Sequence, residues 1–150
     1  MKVSLEMVET LPGPPEVVWG LITDWEHQGD WMLEASDFTV LSAAREGVGV
    51  EAEATIRILG ITTRDVVTVT AWSPPRHLAL EHRGWVTGEG NIHLTPLAGD
   101  RTHMYWREEL SPPLGLAGGV GMNVLRPLLH RTFRRDLRVL AGLVRVRTLG

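Results

Sequence analysis

Glu108, Glu109 and His82 are the side chains best placed for acid–base chemistry. Thr102 to Leu110 reads as a strand, and neighbours on a strand point to opposite faces, so only one of the two glutamates can look inward. Glu108 shares parity with Trp106. An inward Trp106 carries Glu108 in with it, and burial there raises a carboxyl pKa and equips it as a general acid or base. The competing arrangement leaves Glu108 at the wet end of the strand or paired with an arginine such as Arg57 or Arg83. His82 shares parity with Leu78 and Leu80. It is either a polar handle that orients a ligand in an apolar pocket or an edge histidine at a rim.

The other chemistry-bearing residues form no constellation. None of the six histidines pairs at the four-residue helical spacing of a zinc site, so no metal is expected. With no cysteine there is no disulfide framework and no thiolate nucleophile. The serines stand in turns or at strand ends, outside any Gly-x-Ser-x-Gly elbow. Gly115-Leu116-Ala117-Gly118-Gly119-Val120-Gly121 does not match a phosphate-binding loop, and no cofactor is expected. Charge is lopsided: residues 1–125 carry 8 basic against 17 acidic groups, whereas residues 126–150 carry 7 arginines against the single Asp136. Arg131, Arg134, Arg135 and Arg138 share one helix face, but Phe133 falls on the opposite one. The interleaved exposed aromatics of a single-strand nucleic-acid reader are missing, and a solvated face is expected instead.

Positioning these residues requires a mostly antiparallel framework. At 150 residues, 43% hydrophobic and 22% charged, the chain has the composition and size of one globular domain, 1–150. Met1 to Glu6 alternates with acids instead of building an apolar signal core, and no apolar run is long enough for a membrane span; a cytoplasmic protein is expected. Val3, Leu5 and Met7 alternate as a half-buried strand. After Leu11-Pro12-Gly13-Pro14-Pro15, a helix carries Val17, Val18, Leu21, Ile22 and Trp25, and a second short helix covers Glu26 to Met32. From Phe38 to Leu110 the period is two, with connections too short for crossover helices. Helical spacing returns in a long helix from about Val120 to Val144, with Leu125, Leu129, Phe133, Leu137 and Leu140 facing the sheet and a start or kink at Pro127. The glycine-rich stretch before it reads as a flexible lead-in. An α+β domain results, about seven strands curled around one substantial helix. Ala52, Ala54, Ala71, Gly88 and Gly90 fall at expected inward positions, and so small a lining favours a cavity.

These segments resemble the START-like, Bet v 1-like (SRPBCC) superfamily, in particular its polyketide cyclase/dehydrase and lipid-transport branch. Leu11 to Trp19 is similar to the entry to that family's first helix, and Asp24-Trp25-Glu26 with Trp31 to its second-helix signature. Val69 to Leu78 is similar to a strand-to-strand corner, and Thr102 to Leu110 to the last strand. The resemblance implies a helix-grip fold: a curved seven-stranded antiparallel sheet wrapped around a long C-terminal helix, with two short helices after the first strand and a hydrophobic cavity between. It implies binding or transport of a small hydrophobic ligand (a lipid, an isoprenoid or quinone, or a polyketide), or alternatively a polyketide aromatase/cyclase acting on a poly-β-ketone chain. The expected pocket is lined by Trp31, Ala54, Ile56, Val69, Leu80 and His82. Ile92, Leu94, Trp106, Met122 and Leu125 complete it. Trp31 and Trp106 match family positions that line the pocket. Family cyclases project an arginine from the strand ending at Val69-Thr70-Ala71-Trp72, and the matching position here is Ala71, with Arg64 too early. No catalytic residue is therefore assigned to a binder; a cyclase would rely on Glu108 and His82. The oligomeric state stays open.

Overall fold

The computed structural model describes residues 2–150; Met1, at the head of the N-terminal stretch read above, lies outside the described residues. The chain opens with β1 (Val3–Leu11), whose Val3, Leu5, Met7 and Leu11 are buried as the two-residue period requires. Helix α1 (Pro15–Ile22) starts on Pro15, where a missing N–H costs nothing, and buries Val18, Trp19, Leu21 and Ile22. A short 3-10 helix, Trp25–Asp30, follows and buries Trp25 and Gln28. Then come β2 (Ala35–Val40), β3 (Glu51–Ile58), β4 (Ile61–Ser73), β5 (His77–Arg83), β6 (Thr87–Leu97) and β7 (Arg101–Ser111). The long helix α2 (Gly115–Leu149) closes the chain.

The strands form one antiparallel sheet in the order β1-β7-β6-β5-β4-β3-β2. Every consecutive pair from β2 to β7 is joined as a direct hairpin, and β1 closes against β7 with Leu5 opposite Glu108 and Met7 opposite Trp106. The β3–β4 connection is a two-residue loop in which Leu59 and Gly60 both take positive φ, 54° and 76°. That is the turn whose twist suits a hairpin. The concave face carries the core. Leu129, Leu137, Leu140 and Val144 of α2 are buried against it, and Phe133 packs at its margin. No helix among the described residues is long and apolar enough to cross a membrane.

Several expectations are corrected. The glycine-rich stretch is not a loop: it forms the first turns of α2, entered through Leu114 at φ 69°. Gly118 sits so close to the Pro113 carbonyl that a Cβ there would lie 1.7 Å from its oxygen, so glycine permits this tight helix entry. Of the two readings at Pro127, a start or a kink, only the start is excluded, because Pro127 stands inside the helix. Leu125 does not face the sheet but is 41% exposed, because the inward line of the early helix runs through Gly119, Met122 and Leu129 and leaves Leu125 at its edge. Ala71 is not an inward position either. A bulge between Val69 and Ala71 shifts the register, so Val69 pairs with Leu80 but Trp72 pairs with Leu78. The extra residue hands the inward place to Trp72, whose ring meets Trp19 edge-on at 5.1 Å and Trp25 at 6.5 Å.

Candidate functional site

Strand parity brings four polar side chains to one wall of the concave face. On β7 the inward row is Thr102, Met104, Trp106 and Glu108; on β5 it is Leu78, Leu80 and His82. Asp65 of β4 joins them, as Val67 beside it pairs with His82. His82 sits between two carboxylates, Nδ1 2.8 Å from Asp65 Oδ2 and Nε2 2.9 Å from Glu108 Oε2. The indole Nε1 of Trp106 donates to the other Glu108 oxygen at 2.8 Å. Both Glu108 oxygens and both His82 nitrogens are thus engaged. Glu108 is only 5% exposed, so it occupies neither the wet end of the strand nor an arginine pair. Arg57 bonds Thr62, and Arg83 bonds Thr68 and Glu51. His82 is a largely buried bridging residue rather than a rim histidine.

This arrangement sets the charge on the histidine. Burial alone would lower the His82 pKa, but the Glu108 charge and the hydrogen bonds that His82 donates to Asp65 and Glu108 outweigh it and raise it to about 10. His82 is therefore an imidazolium at neutral pH. The space for the Glu108 carboxyl comes from Gly90 on β6, which pairs directly with it. A Cβ on Gly90 would lie 2.5 Å from Glu108 Oε1. Gly90→Ala is expected to destabilise the protein by ~1–3 kcal/mol, as overpacking does, by pushing the carboxyl off His82 and Trp106. Urea unfolding with an unchanged slope and a lower midpoint would show it; an unchanged midpoint would mean that Glu108 moves freely.

A second polar cluster lies where α2 crosses the segment before β2. Asp136 is fully buried on the apolar face of α2, and Glu34 faces it with a side chain 4% exposed. Asp136 Oδ1 accepts the Leu33 backbone N–H at 3.2 Å, and Arg135 reaches from solvent to 3.5 Å from Asp136 and 3.6 Å from Glu34. Burial, then the neighbouring Asp136 carboxyl, raises the Glu34 pKa to about 9. Burial raises Asp136 as well.

Between sheet and helix lies a cavity of about 150 Å³. Its walls are mostly apolar: Met32, Ile56, Ile58, Val86, Leu110, Met122, Leu129 and Phe133, with Trp106 packed on Phe133 at 5.2 Å. Glu34, Thr63, Arg64, Asp65, His82 and Glu108 supply its polar wall. A smaller void of about 60 Å³ shares Met32, Ile56, Asp65, His82, Trp106 and Glu108 with it. Of the expected pocket residues, Ile56, His82, Trp106 and Met122 line the main cavity. Trp31, Ala54, Leu80 and Ile92 line the smaller void. Val69 and Leu94 border neither: they are buried in the packed core with Trp19, Trp25 and Leu78, which, with Trp72 against them, fill that end of the sheet. Leu125 lies outside both, for the reason given above. Sequence reasoning missed Asp65, Glu34 and Asp136. Asp65 shares parity with Val67 and Val69, and Asp136 is the lone acid among seven arginines, between Phe133 and Leu140 on the apolar stripe.

An open seven-stranded sheet gripping a C-terminal helix over an apolar cavity defines a helix-grip protein. The match is specific: residues 2–145 fit the model of the polyketide cyclase/dehydrase and lipid transport family, and the chain belongs to that family. Solved structures with this fold include TTHA0849 from Thermus thermophilus, with a TM-score of 0.83 at 19% identity over 97% of this chain and 99% of that one. A START superfamily protein from Mycobacterium smegmatis gives 0.81 at 15% identity over 97% and 99%. The Zhui aromatase/cyclase from a Streptomyces species gives 0.79 at 18% over 98% and 96%. At such identities these show the fold. An uncharacterized protein of Mycobacterium tuberculosis is 25% identical over 81 residues, 54% of this chain, and the chain spans 57% of the length of the curated relatives it matches.

Proposed function

We propose that residues 1–150 form a single START-like ligand-binding domain that holds a small hydrophobic molecule in the cavity between sheet and α2. The observation that carries this reading is an interior space with apolar walls at which buried polar atoms, Trp31 Nε1 and Asp65 Oδ1, stand without partners among the described residues. Buried polar groups are normally satisfied, and orphans beside a cavity fit a missing guest. Space limits the guest. A cavity of about 150 Å³ accepts a molecule the size of one aromatic ring. A lipid or isoprenoid tail would need the exposed first turns of α2 to move outward.

The alternative is a polyketide aromatase/cyclase. The Asp65–His82–Glu108 row in the cavity wall is the observation in its favour. It fits poorly with His82 or Glu108 as a base, because a general base works best with a pKa near the operating pH. His82 is held as a cation, and Glu108 has both oxygens occupied. Trp72, not an arginine, takes the inward place beyond the β4 bulge.

Native mass spectrometry of freshly purified protein is expected to reveal a co-purifying small molecule. Titration with single-ring phenols and quinones is expected to change the fluorescence of Trp31 and Trp106, and titration with fatty alcohols or aromatic polyketides to do so only if the first turns of α2 move outward. Regiospecific cyclisation of a poly-β-ketone by the wild type, lost in Glu108→Gln, would favour the cyclase. A silent titration with every ligand class would sink the binding reading.

A further inference from the structure

Resting on the reading of the cavity as a ligand site, we propose that it selects neutral, hydroxyl-bearing apolar molecules, alcohols or phenols, over free carboxylates. The polar atoms left unpaired decide this. Among the described residues, Asp65 Oδ1 and Trp31 Nε1 have no hydrogen-bond partner, whereas the Glu34 carboxyl keeps its proton and bonds Asp136. The Glu34 side chain is 4% exposed and lines the main cavity; Trp31 is 2% exposed and lines the adjoining void; Asp65 borders both. The orphans at the cavity are therefore one carboxyl oxygen and one indole N–H.

A hydroxyl is donor and acceptor at once. It can give its proton to Asp65 Oδ1 or accept from Trp31. A molecule whose only polar atoms are carbonyls can accept from Trp31 but gives Asp65 nothing. A carboxylate is worse placed: it brings a negative charge to Asp65 and Glu108 in an apolar enclosure, where like charges repel strongly. The cations that could offset it are committed. His82 has both nitrogens on Asp65 and Glu108, and Arg64 at the cavity edge directs Nη1 to Glu53 at 2.9 Å. Arg135 lies against Glu34 and Asp136.

A matched trio tests this: 4-propylphenol, 4-propylbenzoate and propylbenzene, titrated into the full chain at neutral pH by calorimetry or tryptophan fluorescence. The phenol is expected to bind about tenfold more tightly than either other compound, the scale of one hydrogen bond to a charged group. Asp65→Asn removes the charge, and the phenol-over-benzoate ratio is expected to fall at least about threefold with propylbenzene unaffected. A merely structural role for Asp65 would weaken all three ligands together. The wild-type ratio stands as the readout even if that variant does not fold. Benzoate binding as tightly as the phenol, or propylbenzene matching it, overturns the selectivity and leaves the cavity a ligand site. Saturation by none of the three overturns the ligand site itself, and the selectivity with it.

Discussion

His82→Ala is expected to destabilise the protein by ~3–5 kcal/mol, the cost of removing one partner from a buried ion pair. In the wild type a single imidazolium holds Asp65 and Glu108 together, with side-chain exposures of 16% for the histidine, 20% for Asp65 and 7% for Glu108. Alanine leaves two carboxylates turned toward each other, and the Trp106 indole stabilises only one of them. An exposed pair would cost under ~1 kcal/mol, so a loss that small would show that water reaches the site freely. The pH dependence gives an independent check. The native His82 pKa is raised to about 10 from an ordinary 6.5, so native protein binds the extra proton between those values. Its stabilisation is complete below about pH 6.5 and is lost as pH rises toward 10. His82→Ala is expected to abolish that part of the pH slope. Adding Glu108→Gln to His82→Ala is expected to recover part of the loss, since the repulsion then has one charged partner left.

The layout of this wall is partly legible in the sequence. Strand parity places Glu108 with Trp106 and His82 with Leu80, because a strand's two-residue period is rigid across a regular ladder. Parity fails at Ala71, where a bulge inserts one residue and hands the inward position to Trp72. No local sequence signal marks that insertion. Helical periodicity finds Leu129, Leu137 and Leu140 but misjudges Leu125, which the inward line through Gly119, Met122 and Leu129 leaves at its edge. The glycine run looks like a loop because glycine is a poor helix former. A close approach to Pro113 explains Gly118 within a helix. Partners of the site from distant segments are the least legible. Asp65 lies at the polar start of a β-branched strand, and Glu34 meets Asp136 across a separation of 102 residues. Nothing in either local sequence names the other.

That long-range meeting carries the second large effect. Glu34→Gln is expected to stabilise the protein at alkaline pH, by ~2–4 kcal/mol at pH 9, and to change it by less than ~1 kcal/mol at pH 5. The sign follows from the raised carboxyl. An acid whose native pKa is lifted from 4.5 to about 9 binds its proton in the folded state while the unfolded chain has already released it. Stability is therefore greatest on the acid side and falls as pH rises from about 4.5 to about 9. Burial beside Asp136, itself raised by burial, is what makes the ionised form costly. Arg135 does little to offset this, since it is half exposed and its closest approach to Glu34 is 3.6 Å. Glutamine keeps the shape and neutrality of the protonated acid, so it removes the alkaline loss without opening a void. Urea unfolding of wild type and variant at pH 5, 7 and 9 reads this directly. A wild-type midpoint that drops with pH while the variant's holds level is the expected pattern. Equal destabilisation of the variant at all three values would mean that Glu34 is ionised in the folded protein and that its charge, held by Arg135, stabilises the crossing of α2 over the segment before β2.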